Sequence, residues 1–201
     1  MRKALHHLKK SDPALGSIIE RVGAYKIVYR EPVFQNLVRS IVYQQLSGKA
    51  ALTIFNRLMA AAKSDPLTPD AILKLRPAKM RALGLSKQKL TYIRELARLT
   101  RAGEVSFERL PEMDDVAIVE TLTKVKGVGV WTAHMFLIFA LQRPDVLPTG
   151  DLGVRMAIRK AYRMDDLPHP KQIEELALTW RPYCTIASWY LWRSLDKEAA
   201  I

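Results

Sequence analysis

The chain has 201 residues, 49% of them hydrophobic, with 32 lysines and arginines against 20 aspartates and glutamates, a formal net charge of +12. That length and apolar share suit a folded globular protein, one compact domain or two small lobes with a real core, while the surplus of cations points to a polyanionic partner, most simply nucleic acid. The single cysteine, Cys184, excludes an intrachain disulfide and the thiolate set of an iron–sulfur cluster, and His6, His7, His134 and His169 lack zinc-ligand spacing.

Taken in order, the punctuation is helical throughout. Residues 1–15, MRKALHHLKKSDPAL, are basic and lack a secretory leader's apolar core. Ser11-Asp12-Pro13 starts a helix to about residue 22, with Gly23 as its stop. VYRE near Val28 is the one possible strand, and it is isolated. Pro32 opens the next helix, in which Phe34, Leu37, Val38, Ile41 and Val42 recur at helical spacing. Tyr43-Gln44-Gln45-Leu46 closes it, and Ser47 caps a helix holding Ala51, Ile54, Phe55 and Leu58. Thr68-Pro69-Asp70 opens a short helix, and Pro77 opens another that Gly84 stops. Residues 86–102 form a longer amphipathic helix, with Leu90, Ile93, Leu96, Ala97 and Leu99 on one side. A helix from Asp114 to about 124 leads into Lys126-Gly127-Val128-Gly129, and another follows at once over 130–141. Helices over 153–162, 169–181 and about 183–195 finish the chain. The expected fold class is all-α, with about ten helices. The apolar run 135–141 is far too short to span a bilayer, so no membrane partner is expected and the protein is expected to be intracellular.

The densest chemistry lies between Leu122 and Asp151. Gly127 and Gly129 let the backbone turn with positive φ or come close to a partner. The turn ends at a helix N-terminus near Val130, whose N–H groups and partial positive charge suit a phosphate oxygen. Thr132 adds a hydroxyl and Lys126 a charge. Such contacts grip a nucleic-acid backbone without reading its sequence. A glycine turn joining two packed helices is the plain structural alternative. Asp151 also reads two ways: as an N-cap for the helix that follows, with Arg155 four residues on, or as a reacting carboxylate. The two roles are compatible, because a capping carboxylate is rigidly held.

The segment Val125-Lys126-Gly127-Val128-Gly129-Val130-Trp131-Thr132-Ala133, with Asp151 in the loop beyond the second helix, resembles the hairpin and spaced aspartate of the helix-hairpin-helix DNA glycosylase superfamily. It departs from that pattern at Lys126, where a proline is usual. The Gln44-Gln45 corner, Trp131, Leu147-Pro148-Thr149-Gly150-Asp151 and the stretch from Trp180-Arg181-Pro182-Tyr183 to Trp192 resemble one branch, the 3-methyladenine DNA glycosylase II family, in a compact form without an added β-domain. The resemblance covers about residues 30–195. It implies a two-lobed helical fold with an active-site cleft between the lobes. One lobe would combine residues 1–46 and 151–201; the central lobe would be 47–150, with the helix-hairpin-helix at about 115–141. Asp151 is implied as the catalytic carboxylate, with Trp131, Trp192, Tyr43 and Met135 around the extruded base. Gln45, with Gln44 beside it, matches the wedge that fills the vacated duplex. Gly127, Gly129, Thr132, Lys126, Ser47, Ser86 and Lys89 would meet the DNA backbone. A structural monovalent or divalent cation at the hairpin, on the backbone carbonyls of Thr123, Val125 and Val128, is also implied; no cofactor for catalysis is expected.

The activity so implied is monofunctional excision of alkylated purines from double-stranded DNA, the first step of base excision repair, after the nucleotide is flipped from the stack. Aromatic walls would favour an electron-poor purine by stacking and cation–π attraction. Trp131 stands where bifunctional members carry a Schiff-base lysine, and an indole cannot form an imine. A monomer suffices. Two alternatives stay open at this point: a non-catalytic DNA-binding module that uses the hairpin for grip alone, and a bifunctional glycosylase/lyase.

Overall fold

Prolines and short polar side chains set most helix starts in the computed structural model, which describes residues 1–196. The described residues form twelve α-helices and no strand. In chain order these are α1 (Arg2–Ser11), α2 (Pro13–Val22), α3 (Phe34–Tyr43), α4 (Gly48–Ala62), α5 (Pro69–Lys74), α6 (Pro77–Ala82), α7 (Lys87–Arg101), α8 (Asp115–Thr123), α9 (Val130–Phe139), α10 (Leu152–Ala161), α11 (Pro170–Ala177) and α12 (Cys184–Arg193). A short 3-10 turn, Leu110–Glu112, precedes α8. Proline sits in the first turn of α2, α5, α6 and α11, where its missing N–H costs nothing. Asp12, Ser47, Thr68, Ser86, Asp114 and Asp151 each accept a backbone N–H of the helix they start. None of the described helices is long and apolar enough to cross a membrane.

Two local expectations change. The basic N-terminal stretch is a helix, α1, whose Ala4 and Leu8 are buried. Those two residues are one turn apart and, with the half-buried Leu5, form the apolar stripe that packs inward; the lysines are exposed or fall in the last turn, where they favour the helix dipole. Residues around Val28 have no regular secondary structure and pair with no strand among the described residues, so VYRE is a connector.

The chain divides into two units, Met1–Tyr29 with Leu137–Ile201, and Arg30–Phe136. The boundaries lie in the connector before α3 and within α9, against the expected 47 and 151. Helix α3 belongs with the central unit because it packs on α4 and α7. The terminal unit joins both chain ends: α2 and α10 pack on α12 around Leu8, Leu15, Trp180 and Tyr190, all fully buried. At its centre Asp12, 5% exposed, accepts from Leu15 N–H, the Tyr162 hydroxyl and the Trp180 indole. The central unit packs α3 and α5 on α7, with Phe34, Phe107 and Phe136 meeting edge to face.

Candidate active site

The central unit carries the hairpin between α8 and α9. Gly127 has φ +86, a conformation that costs any residue with a Cβ. A Cβ there would also stand 2.0 Å from Cδ2 of the Tyr92 ring, far inside van der Waals contact, so both the turn and the packing call for glycine. Gly129 differs from this expectation: its φ is not positive and nothing lies within 4 Å of where its Cβ would be. Its role is to start α9, where Ala133 N–H bonds to its carbonyl at 3.0 Å. Lys126 is exposed beside it.

The hairpin is tethered to the corner after α3. Gln44 Nε2 donates to the Gly127 carbonyl at 2.9 Å. Lys89, expected on the DNA backbone, instead turns its ammonium inward, donating to the carbonyls of Val42 at 2.8 Å and Gln44 at 2.5 Å. Those carbonyls end α3 and lack helical partners, so a cation there is well placed, and partial burial lowers the Lys89 pKa. Gln44 thus supports the corner, while Gln45 is exposed in the left-handed region at φ 55. Ser47 and Ser86 are exposed caps of α4 and α7.

Beside this corner lies a concavity of about 500 Å3, lined by Tyr43, Trp131, Thr132 and Met135 together with Arg30 and Arg39. Three of the four expected base-pocket residues therefore come together. Trp131 is 49% exposed and Thr132 is buried, facing the concavity rather than open solvent. Tyr43, expected beside the extruded base, has one face covered by Arg39, whose guanidinium carbon lies 4.1 Å from the ring centroid. The two arginines escaped the sequence analysis. Arg39 stands four residues before Tyr43 on one helix, a spacing that could have revealed the pair.

In the terminal unit, Asp151 caps α10 and is 8% exposed. The loop that delivers it is closed by Asp151 N–H to the Pro148 carbonyl at 2.9 Å. Its Oδ1 accepts from Val154 N–H and from Trp192 Nε1, both at 2.8 Å. The indole of Trp192 stacks on Phe139, with ring centroids 5.8 Å apart and planes at 21°. Gly153 makes this approach possible: a Cβ there would stand 3.0 Å from Trp192 Cδ1 and 3.1 Å from Asp151 Oδ1. Phe139 and Gly153 were not singled out from sequence, because stacking across distant chain segments leaves no local pattern. Arg155, a candidate partner for Asp151, donates from Nε to the Pro168 carbonyl at 3.1 Å. Asp151 and Trp192 thus form one rigid unit, a carboxylate held at a helix start by a backbone N–H and an indole.

Comparison with known proteins adds three findings. A family described as HhH-GPD superfamily base excision DNA repair protein matches residues 38–182. DNA-3-methyladenine glycosylase 1 of Schizosaccharomyces pombe is 32% identical over 200 residues, covering 96% of this chain and 87% of the relative. Two solved structures superpose well. One is a DNA-3-methyladenine glycosidase of Bacillus halodurans, at TM-score 0.89 and 33% identity, covering 98% of this chain and 91% of the other. The second is the 3-methyladenine DNA glycosylase of Schizosaccharomyces pombe in complex with abasic DNA, at TM-score 0.82 and 33% identity, covering 94% and 95%.

Proposed function

The chain belongs to the HhH-GPD superfamily of base excision DNA repair proteins, and we propose that it is a monofunctional DNA glycosylase that releases alkylated purines of the 3-methyladenine kind from double-stranded DNA. The observation that carries this reading is the Asp151 carboxylate, buried at a helix start and fixed through Oδ1 by Val154 and Trp192. Relatives named for this activity over nearly the whole chain support it. A relative solved with abasic DNA supports DNA that has lost a base as a binding partner of this fold.

The chemistry follows from the groups present. A base inside the duplex is out of reach, so the nucleotide is extruded, with Gln45 taking its place in the stack. As the N-glycosidic bond lengthens, its electrons leave with the purine and positive charge grows on the sugar. A pre-oriented carboxylate at Asp151 stabilises that charge and takes a proton from the attacking water, whose oxygen bonds to C1′. An alkylated purine already carries positive charge, so it departs without a strong general acid. Trp131, where a Schiff-base lysine would stand, cannot form an imine, and Lys89 is tied to the α3 carbonyls; both favour hydrolysis without strand cleavage. The start of α9 and Lys126 bind phosphate. A cation on the carbonyls of Thr123, Val125 and Val128 would fit: Thr123 ends α8, whose C-terminal carbonyls carry partial negative charge. It would supply structural charge at the hairpin and no chemistry. The protein works as a monomer, inside the cell where its DNA lies.

The test is release of 3-methyladenine from methylated duplex DNA, with strand breaks scored before and after alkali and with borohydride present. The expected result is free base, breaks only after alkali and no borohydride-trapped protein–DNA adduct. Tight DNA binding without base release across several lesions would reduce the protein to a binding module. A trapped adduct would make it a lyase.

Gly153→Ala is a further check on the carboxylate's support. The methyl must push the Trp192 ring by a few tenths of an ångström, loosening its bond to Asp151. Because small misplacements of a catalytic group are costly, base release should slow by about tenfold in single turnover. Affinity for abasic DNA and the melting temperature should hold. An unchanged rate would show that the indole's position does not matter to the carboxylate.

A further inference from the structure

The concavity beside the hairpin has a donor-rich wall that the proposed chemistry does not use. Arg39 folds over Tyr43, and its Nη2 donates to the phenol oxygen at 2.9 Å. The phenol, accepting from Arg39, is left to aim its own O–H elsewhere as a donor. Arg30 lines the same concavity. Partial desolvation, and then the charge of Arg39, lower the Arg30 pKa. Neutral groups on this wall are partly committed: the Ser40 hydroxyl donates to the Asn36 carbonyl at 3.0 Å, and the Gln44 amide nitrogen to Gly127 at 2.9 Å. A guanidinium offers only donors, and its charge-assisted bonds are roughly twice as strong as neutral ones. The wall therefore seeks an acceptor.

The 6-position of a purine decides how it meets such a wall. Guanine derivatives and hypoxanthine carry a carbonyl there, an acceptor; adenine derivatives carry an amino group, a donor. We infer that Arg39 tunes lesion specificity by donating to the 6-oxo group of the extruded purine, so that it raises release of 6-oxopurine lesions relative to what the same site without it would achieve, while leaving 3-methyladenine, a 6-aminopurine, unaided. This rests on the glycosylase reading and on the base entering the concavity beside Trp131, whose exposed indole offers a stacking face while Arg39 covers one face of Tyr43. A guanidinium also suits a phosphate, but a phosphate contact would help every lesion alike, and that difference decides the test.

Wild type and Arg39→Met are compared on methylated DNA, measuring 7-methylguanine and 3-methyladenine released from the same sample, and on an oligonucleotide containing hypoxanthine. Both methylated nucleotides carry positive charge, so the change in their rate ratio on substitution reports the 6-position. The ratio is also independent of how much variant protein is folded. The expected result is a fall of about tenfold in the 7-methylguanine to 3-methyladenine ratio, with hypoxanthine release falling alongside. Arg39→Lys, which keeps the charge but not the planar fork, should recover only part. Both rates falling together would assign Arg39 to a phosphate or to the fold and overturn the inference, as would an unchanged ratio. Wild type releasing none of these bases would overturn the glycosylase reading and the inference with it; an active wild type whose ratio ignores the substitution would overturn the inference alone.

Discussion

Asp151→Asn is expected to cut base release by about 1,000-fold while leaving DNA binding and stability close to wild type. Asparagine caps a helix about as well as aspartate, and its amide oxygen can still accept from Val154 N–H and Trp192 Nε1. The geometry survives; the negative charge does not. Losing a pre-oriented group that stabilises transition-state charge costs about 100- to 1,000-fold in mutated enzymes, and here the same group also activates the water. The substitution therefore separates the two roles of this residue. Single-turnover release from methylated DNA, binding to abasic DNA and a thermal melt should be run on one preparation. Near-normal release would reduce Asp151 to a helix cap. Loss of release together with a large fall in melting temperature would show that the cap, not the charge, was being measured.

The second large effect is on stability, far from that carboxylate in sequence. Asp12→Ala should cost about 3–5 kcal/mol. The lost N-cap bond to Leu15 contributes about 1 kcal/mol. The Tyr162 hydroxyl and the Trp180 indole then lose a shared acceptor, and each orphaned buried donor costs about 1–3 kcal/mol. Such a loss lowers the melting temperature of a chain this size by roughly 10 °C. Urea titration and calorimetry of Asp12→Ala and Asp12→Asn would measure it; a loss under about 1 kcal/mol for alanine would show that water or a shifted side chain replaces the carboxylate. Burial, then the bond and charge of Asp12, raise the Tyr162 pKa above its ordinary 10.0. The protonated phenol is the form the fold favours. Its contribution is complete below pH 10.0 and is lost as the pH climbs above that value.

The local features of the fold were legible because their physics is local. Proline in a first turn, a serine or aspartate ahead of it and apolar residues at helical spacing all act within a turn or two. Most helix starts can be read that way, and so can the hairpin, where Gly127 adopts the positive φ its sequence suggests. Helix α1 was missed because its apolar stripe, Ala4, Leu5 and Leu8, is short and hidden among basic residues, and it is stabilised by packing on α2 rather than by its own propensity.

By itself, then, the sequence determined an all-helical chain, a glycine hairpin at the start of a helix and a capping aspartate beyond it. The tertiary structure alone decided what those parts touch. It committed Lys89 and Gln44 to the corner after α3 instead of to open solvent, and it set the Trp192 indole on Asp151 across a gap made by Gly153. It placed Arg30 on the same concave wall as Trp131. Backbone caps and turns are satisfied by near neighbours in the chain, so the order of residues encodes them directly. A side chain's partner across many residues depends on which surfaces the packed helices bring together, and only the folded chain specifies that.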